Sequence, residues 1–115
     1  MSAIKKEPIH AGEFLLSEGP GKISREAINV SAGAALPAGQ VLGIVTASGE
    51  YAPYDPVAED GSQTAAAILF APLGESETVR RGRAVVRLAE VAGSLLTGLD
   101  LDAQKELAGQ FVIVR

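Results

Sequence analysis

Residues 41–54, VLGIVTASGEYAPY, hold the clearest structural signal in the chain. Residues 41–46 are rich in β-branched side chains, which favour strands, and Gly43 marks a bulge or a close approach of another segment. Ser48 and Gly49 then supply a turn before a second short run that is compatible with a strand. This stretch predicts a β-hairpin.

Strand signals continue on both sides of the hairpin. Residues 27–31 (AINVS) alternate, so that Ile28 and Val30 share one face of a strand. Residues 64–71 form a largely apolar run that is typical of a strand buried on both faces, and residues 111–114 predict a final strand. The sequence therefore predicts a mainly β fold.

Helical signals are confined to the second half of the chain. Residues 83–96 fit either an amphipathic helix or a strand, and we favour a strand over residues 83–88. Asp100 or Asp102 can cap a short helix, with Gly109 as the residue just past its end. We expect one short C-terminal helix.

The composition predicts a single domain with a thin core. A chain of 115 residues is too short for two independent cores. Hydrophobic residues make up 47% of it, but 19 of them are alanine, and there are only three Phe, two Tyr and no Trp. Because alanine buries little area, association between subunits is an expected remedy.

Several classes of function are excluded. Without cysteine there is no disulfide, thiolate zinc site or thiol nucleophile, and His10 is the only histidine. Residues 19–22 (GPGK) lack the glycine and hydroxyl positions of a phosphate-binding loop. We therefore predict no catalytic residue, no metal site, no cofactor and no enzymatic activity.

Nucleic acid, membrane and secretion are also not expected. The net charge is −4, whereas a nucleic-acid surface needs a clustered basic excess. The longest run of apolar side chains is residues 65–73, far short of the roughly 20 residues that span a bilayer. The first ten residues contain no apolar stretch typical of a signal peptide.

The charges are unevenly distributed. Residues 27–79 contain six acidic residues and no basic one, and four arginines follow within residues 80–87. These runs are either solvated faces or complementary surfaces through which one subunit meets another. On the second interpretation the candidate subunit contacts are Glu75, Glu77, Arg80, Arg81 and Arg83.

The first 24 residues resemble an arm more than a part of the core. Pro8, Gly12 and the GPG at residues 19–21 interrupt the segment. Its apolar triplet, residues 14–16 (FLL), either packs on its own domain or docks on a partner and orders as it binds. We divide the chain into a flexible docking arm, residues 1–24, and a β-rich domain, residues 25–115.

Six segments, in their order and spacing, resemble one known family. They are residues 12–18 (GEFLLSE), 24–26 (SRE), 36–43 (LPAGQVLG), 49–55 (GEYAPYD), 60–66 (DGSQTAA) and 111–115 (FVIVR). The chain is similar, from about residue 10 to its end, to the head decoration proteins of lambda-type tailed phages and prophages.

The resemblance implies a β-clip fold with a short helix and a flexible N-terminal arm. It implies a homotrimer on the outer surface of the expanded capsid, at three-fold positions, that stabilises the major capsid protein against the pressure of packaged DNA. Such a protein is made in the host cytoplasm, ends in the virion, and has no enzymatic activity or cofactor. The arm residues we expect to contact the capsid are Ile4, Pro8, Ile9, Phe14, Leu15 and Leu16.

A different class of protein is compatible with the same features. An oligomeric β domain of another type could serve as a ligand-binding or protein-interaction module. A lipoyl or biotinyl carrier is disfavoured, because residues 27–79 contain no lysine for the attachment.

Overall fold

β-Strands dominate the computed structural model, which describes residues 9–115. The strands are β1 (Leu15–Glu18), β2 (Arg25–Val30), β3 (Val41–Ile44), β4 (Tyr51–Pro53), β5 (Ala65–Leu69), β6 (Arg80–Val85), β7 (Ala89–Val91) and β8 (Val112–Val114). A 3-10 turn at Gly93–Leu95 and the helix α1 (Leu101–Ala108) lie between the last two strands. The predicted fold class, mainly β with one short C-terminal helix, is confirmed.

Five strands close into a small barrel, in the order β2-β4-β3-β5-β6. The longest pairing is antiparallel, between β2 and β6, whereas β2 meets β4 in parallel at Val30 and Tyr51. Because side chains alternate across a strand, one set from these strands faces the barrel interior. This interior core contains Ile28, Val30, Leu36, Leu42, Ala67, Leu69, Ala84 and Val86.

The remaining strands form a three-stranded sheet, in the order β1-β7-β8. β1 runs antiparallel to β7, and β8 runs parallel to it. Helix α1 packs against β8 and β5, which connects this sheet to the barrel. A second core fills the space between them and contains Phe14, Val41, Tyr54, Ala65, Ile68, Val85, Ala89, Val91, Ala103, Leu107 and Val112.

The predicted hairpin is present, as β3 and β4. Its first strand carries Gly43, and a Cβ added there would lie 2.6 Å from Ser62 Cα and carbonyl oxygen. The register of β3 on β5 also shifts between Leu42 and Gly43. The sequence predicts either a close approach or a bulge at Gly43, and the structure shows both.

The helix begins where the sequence predicts. Asp100 is the N-cap, and its carboxylate accepts a hydrogen bond from the Ala103 backbone N–H at 2.7 Å. The prediction for its end is only partly right. Gly109 is the C-cap but has a right-handed φ of −62°, and the left-handed conformation falls on Phe111 at φ 63°.

The segment after residue 80 resolves into two strands. β6 starts at Arg80, before the predicted start at residue 83, and ends at Val85. Residues 89–91 then form β7, which the sequence analysis did not predict. The strand interpretation of this segment is right for residues 83–85, and a long helix over residues 83–96 is excluded.

The proposed arm needs correction at its C-terminal half. Residues 1–8, with Ile4 and Pro8, lie outside the described residues. Phe14, however, is 0% exposed in the second core, and the residues that follow it form β1, paired with β7. Of the two alternatives for the FLL triplet, packing on its own domain holds for Phe14. The boundary between arm and domain therefore lies before Phe14 and not at residue 24.

Substitutions of Phe14 and Leu16 should distinguish the buried position of the triplet from the exposed one. Phe14→Ala removes a fully buried ring and should lower the free energy of unfolding by about 3–5 kcal/mol. Leu16→Ala acts on a side chain that is 56% exposed and should change it by about 0.5 kcal/mol or less. Urea denaturation of both variants measures this difference, and equal, small effects would contradict the position of Phe14.

Candidate functional site

The buried polar groups of residues 9–115 are satisfied inside the domain. No buried side-chain nitrogen or oxygen in this part of the chain lacks a hydrogen-bond partner. No cluster of His, Asp and Glu with the size of a metal site occurs within the same residues. The candidate sites that remain are therefore surfaces.

A carboxylate cluster ties β1 to the start of β2. Arg25 donates two hydrogen bonds to Glu18, at 3.0 and 2.6 Å, and the Ser24 hydroxyl donates a third. Arg25 and Ser24 hold the pKa of the Glu18 carboxyl below its usual value. The Arg25 guanidinium also lies 4.2 Å from the centre of the Phe70 ring. The cluster is structural, because every member is engaged within the fold.

A buried phenol and a helix cap form a second polar cluster. The Tyr54 hydroxyl donates to Asp100, with both carboxylate oxygens at 2.9 Å. Burial, followed by the hydrogen bond to Asp100, raises the pKa of Tyr54 to about 12. A neutral, donating phenol positions the Asp100 cap and is not suited to act as a base at neutral pH.

Arg80 does not belong among the subunit contacts. It is 8% exposed, and its guanidinium donates to the carbonyl oxygens of Ser31, Ala34 and Gly74 at 2.7–3.0 Å. Because these internal acceptors take up its hydrogen bonds, Arg80 supports the loops around the barrel. This corrects its place in the predicted set.

The other arginines of that set line an open groove on the outside of the barrel. We call it the arginine groove; it encloses about 530 Å³ and is lined by Ala27, Phe70, Ala71, Leu73, Arg81, Gly82 and Arg83. Arg81 and Arg83 are exposed, and Arg81 donates to Asn29 Oδ1 at 3.1 Å. Glu75 and Glu77 line a separate depression with Gly33 and Ala34. The structure thus does not bring these acids and arginines into one site.

An apolar surface lies at one end of the three-stranded sheet. Leu88, Phe111 and Ile113 are exposed there and line a shared depression with Gly19 and Pro20. Leu88 and Phe111 both have left-handed backbones, at φ 54° and 63°, a conformation that costs a residue with a side chain about 1–2 kcal/mol. β1, at the edge of the sheet, adds the exposed Leu16. Exposed apolar surface of this kind is typical of interaction sites.

No helix in residues 9–115 has the length and apolar character required to cross a membrane. The described residues define a small β domain with a tightly satisfied interior and with apolar and basic surfaces exposed. Exposed surfaces of these two kinds are common at sites where proteins contact other macromolecules.

Comparison with known proteins identifies the family. The family model of bacteriophage lambda head decoration protein D matches residues 4–111 of the 115-residue chain. The chain belongs to this family, and the resemblance noted in the sequence is confirmed. The family consists of structural proteins of the phage capsid, which gives this chain a role in head decoration and a place in the virion capsid. A search of curated proteins finds no match.

The Tyr54 cluster makes stability depend on pH in the alkaline range. Tyrosine in the unfolded chain ionises near pH 10, whereas folded Tyr54 keeps its proton to about pH 12. Its raised pKa therefore contributes stability that is complete below pH 10 and is lost as the pH rises towards 12. We expect Tyr54→Phe to lower the free energy of unfolding by about 1–2 kcal/mol at pH 7.

Above pH 10 the difference between the wild type and Tyr54→Phe should shrink, because the variant has no phenol at this position to ionise. Urea denaturation of both proteins at pH 7, 9 and 11 measures the difference, and Tyr51→Phe controls for the other tyrosine. A difference that stays constant to pH 11 would exclude the role given to the Tyr54 proton.

Proposed function

We propose that this chain binds as a homotrimer to three-fold positions on the outside of the expanded capsid, and that it stabilises the major capsid protein against the pressure of packaged DNA. The observation that carries the proposal is the family match over residues 4–111. The protein would be made in the cytoplasm of the bacterial host and would join the head after expansion. The alternative of an unrelated ligand-binding module has no comparable support.

Trimer formation is supported by the distribution of apolar residues. Both cores are rich in alanine, valine and leucine, and Phe14 and Tyr54 are their only fully packed aromatic side chains in the described part of the chain. Outside helix α1, large apolar side chains remain exposed at Leu16, Ile23, Val57, Val79, Leu88, Phe111 and Ile113. Association would remove part of this area from water at about 25 cal/mol per Å².

Docking by the N-terminal arm is supported by the edge of the small sheet. β1 is an edge strand. It pairs with β7 on one side, and no strand of the described residues pairs with its other side, so that this second edge is available for strand addition. Leu15 and Leu16 lie on this strand. The capsid contacts we propose are therefore Ile4, Pro8, Ile9, Leu15 and Leu16; Phe14 is excluded from this set because it is buried.

Three arms on one trimer would act together. Each arm can contribute a weak contact, since the second and third arms bind at the high effective concentration set by the first. Ordering of a chain segment costs about 1–2 kcal/mol per residue, so that each arm needs a continuous partner surface. Attachment is then strong for a trimer and weak for a single subunit.

The oligomeric state is directly measurable. We expect a mass near three times the 11.8 kDa of the single chain in multi-angle light scattering at micromolar concentration. The mass should persist in high salt, because exposed ion pairs contribute only about 0.2–1 kcal/mol each and apolar burial must supply most of the association. A mass of one chain at these concentrations would refute the trimer.

Deletion of residues 2–8 tests the arm without touching Phe14 or β1. We expect an unchanged thermal midpoint and trimer mass, together with loss of binding to expanded capsids of the cognate phage that lack decoration protein. Co-sedimentation with these capsids measures the binding.

A matched pair of substitutions removes the ambiguity of a deletion. Ile4→Ser should weaken capsid binding by about tenfold or more, because burial of such a side chain is worth about 1.5–3 kcal/mol per arm. Leu101→Ser makes a comparable change at an exposed helix position outside the arm and should leave binding unchanged. Wild-type binding by the truncated protein would show that the arm is not the attachment device.

A further inference from the structure

The arginine groove combines an apolar floor with an unbalanced positive charge. Phe70, Leu73 and the glycine at position 82 form its floor, and the two arginines 81 and 83 are its only charged lining residues. Neither arginine forms a salt bridge with another of residues 9–115. The groove therefore favours an occupant that offers an apolar side chain flanked by carboxylates.

The same chain presents a segment with that chemistry. Residues 55–60 (DPVAED), which we call the acidic loop, place Val57 between Asp55 on one side and Glu59 and Asp60 on the other. Val57 is 83% exposed, the highest value among the large exposed apolar side chains of the described residues. Residues 27–79 contain no basic residue, and none of the loop's carboxylates forms a salt bridge within residues 9–115.

Hydrogen bonds hold the acidic loop in one shape. The backbone N–H of Val57 donates to Asp55 Oδ1 at 3.1 Å, and that of Ala58 donates to the Asp55 carbonyl at 3.1 Å. At the other end, the Asp60 carboxylate accepts from the backbone N–H and the hydroxyl of Ser62, at 3.0 and 2.6 Å. A segment ordered in this way loses little conformational entropy when it binds.

We propose that the acidic loop of one subunit docks in the arginine groove of a second copy of the chain, with Val57 on the apolar floor and the carboxylates beside Arg81 and Arg83. The proposal rests on the homo-oligomer proposed above and names part of its interface. None of the groove's lining residues comes from the loop, so that each copy offers two separate, complementary surfaces. A contact between unlike surfaces is heterologous, and it closes into a ring when the rotation between copies is 120°.

A charge exchange across the contact tests the pairing. Arg81→Glu combined with Arg83→Glu should weaken trimer formation by about tenfold or more, since two attractions become repulsions. Asp55→Lys combined with Glu59→Lys should do the same from the other side. A protein with all four substitutions restores opposite charges and the wild-type net charge of −4, and it should again form trimers. Light scattering over a dilution series measures all four proteins.

A second pair of variants tests the apolar half of the contact. Val57→Asp should lower the trimer fraction, whereas Leu101→Asp, which makes the same change in charge at a position that is 67% exposed, should not. Thermal melts show whether each subunit remains folded; these side chains are exposed, and their loss removes no core contact.

The outcomes distinguish this contact from the proposed function. Wild-type trimer mass in the charge-reversed and Val57 variants would overturn the contact and leave the trimer intact. Trimers that persist in the groove variant but lose capsid binding would assign the groove to the capsid protein and would also overturn the contact. A monomeric wild-type protein would refute the trimer itself, and this contact with it.

Discussion

β3, β5 and the C-terminal end of β6 form a wall that is buried on both faces, and both hydrophobic cores depend on it. Leu42 faces the barrel interior while its neighbour Val41 faces the second core, and Ala84 and Val85 divide in the same way. A wall between two cores needs small residues, because layers on both sides must approach its backbone closely. Ala65, Ala67 and Ala84 meet this need within the wall, so that these alanines have a positive structural role. Gly43 is the extreme case, since the backbone of Ser62 occupies the place of its missing Cβ.

The elements that the sequence predicts well are those with local causes. The β3–β4 hairpin follows from β-branched residues around a turn, and the helix start follows from Asp100. β1 and β7 have no such cause. They pair with each other across more than 70 positions of sequence, and the FLL triplet, which runs into β1, shows no alternation that would reveal which side chain turns inward. Only the assembled fold determines that Phe14 is buried and Leu16 is exposed.

Arg80 shows how one displaced boundary changes a functional interpretation. If the strand begins at residue 83, nothing in the pattern distinguishes Arg80 from Arg81 and Arg83, and all three are interpreted as surface residues. A strand that begins at residue 80 puts Arg80 on the same face as the buried Ala84, because side chains alternate, and puts Arg81 and Arg83 on the other. Alternation alone does not separate the arginines, because Val85, on the face of Arg81 and Arg83, is also buried. The carbonyl acceptors around Arg80, which come from the loops around the barrel, make it the structural arginine.

The burial of Phe14 joins the arm to the domain mechanically. The chain that enters at residue 9 is fixed at Gly12, whose N–H donates to the Phe70 carbonyl at 2.9 Å, and then at Phe14, whose carbonyl accepts from the Ala92 N–H at 2.8 Å. Tension on a docked arm would reach Phe14 before it reached β1. Displacement of Phe14 would expose that ring, at about 1.5–3 kcal/mol, and release of β1 after it would break the bonds of Glu18 to Arg25 and Ser24. An arm that ended in a loose linker would transmit no such load. In the proposed role, the capacity to resist pressure from inside the capsid therefore depends on the FLL triplet dividing its functions: Phe14 anchors the chain, and the exposed Leu16 remains available to the partner.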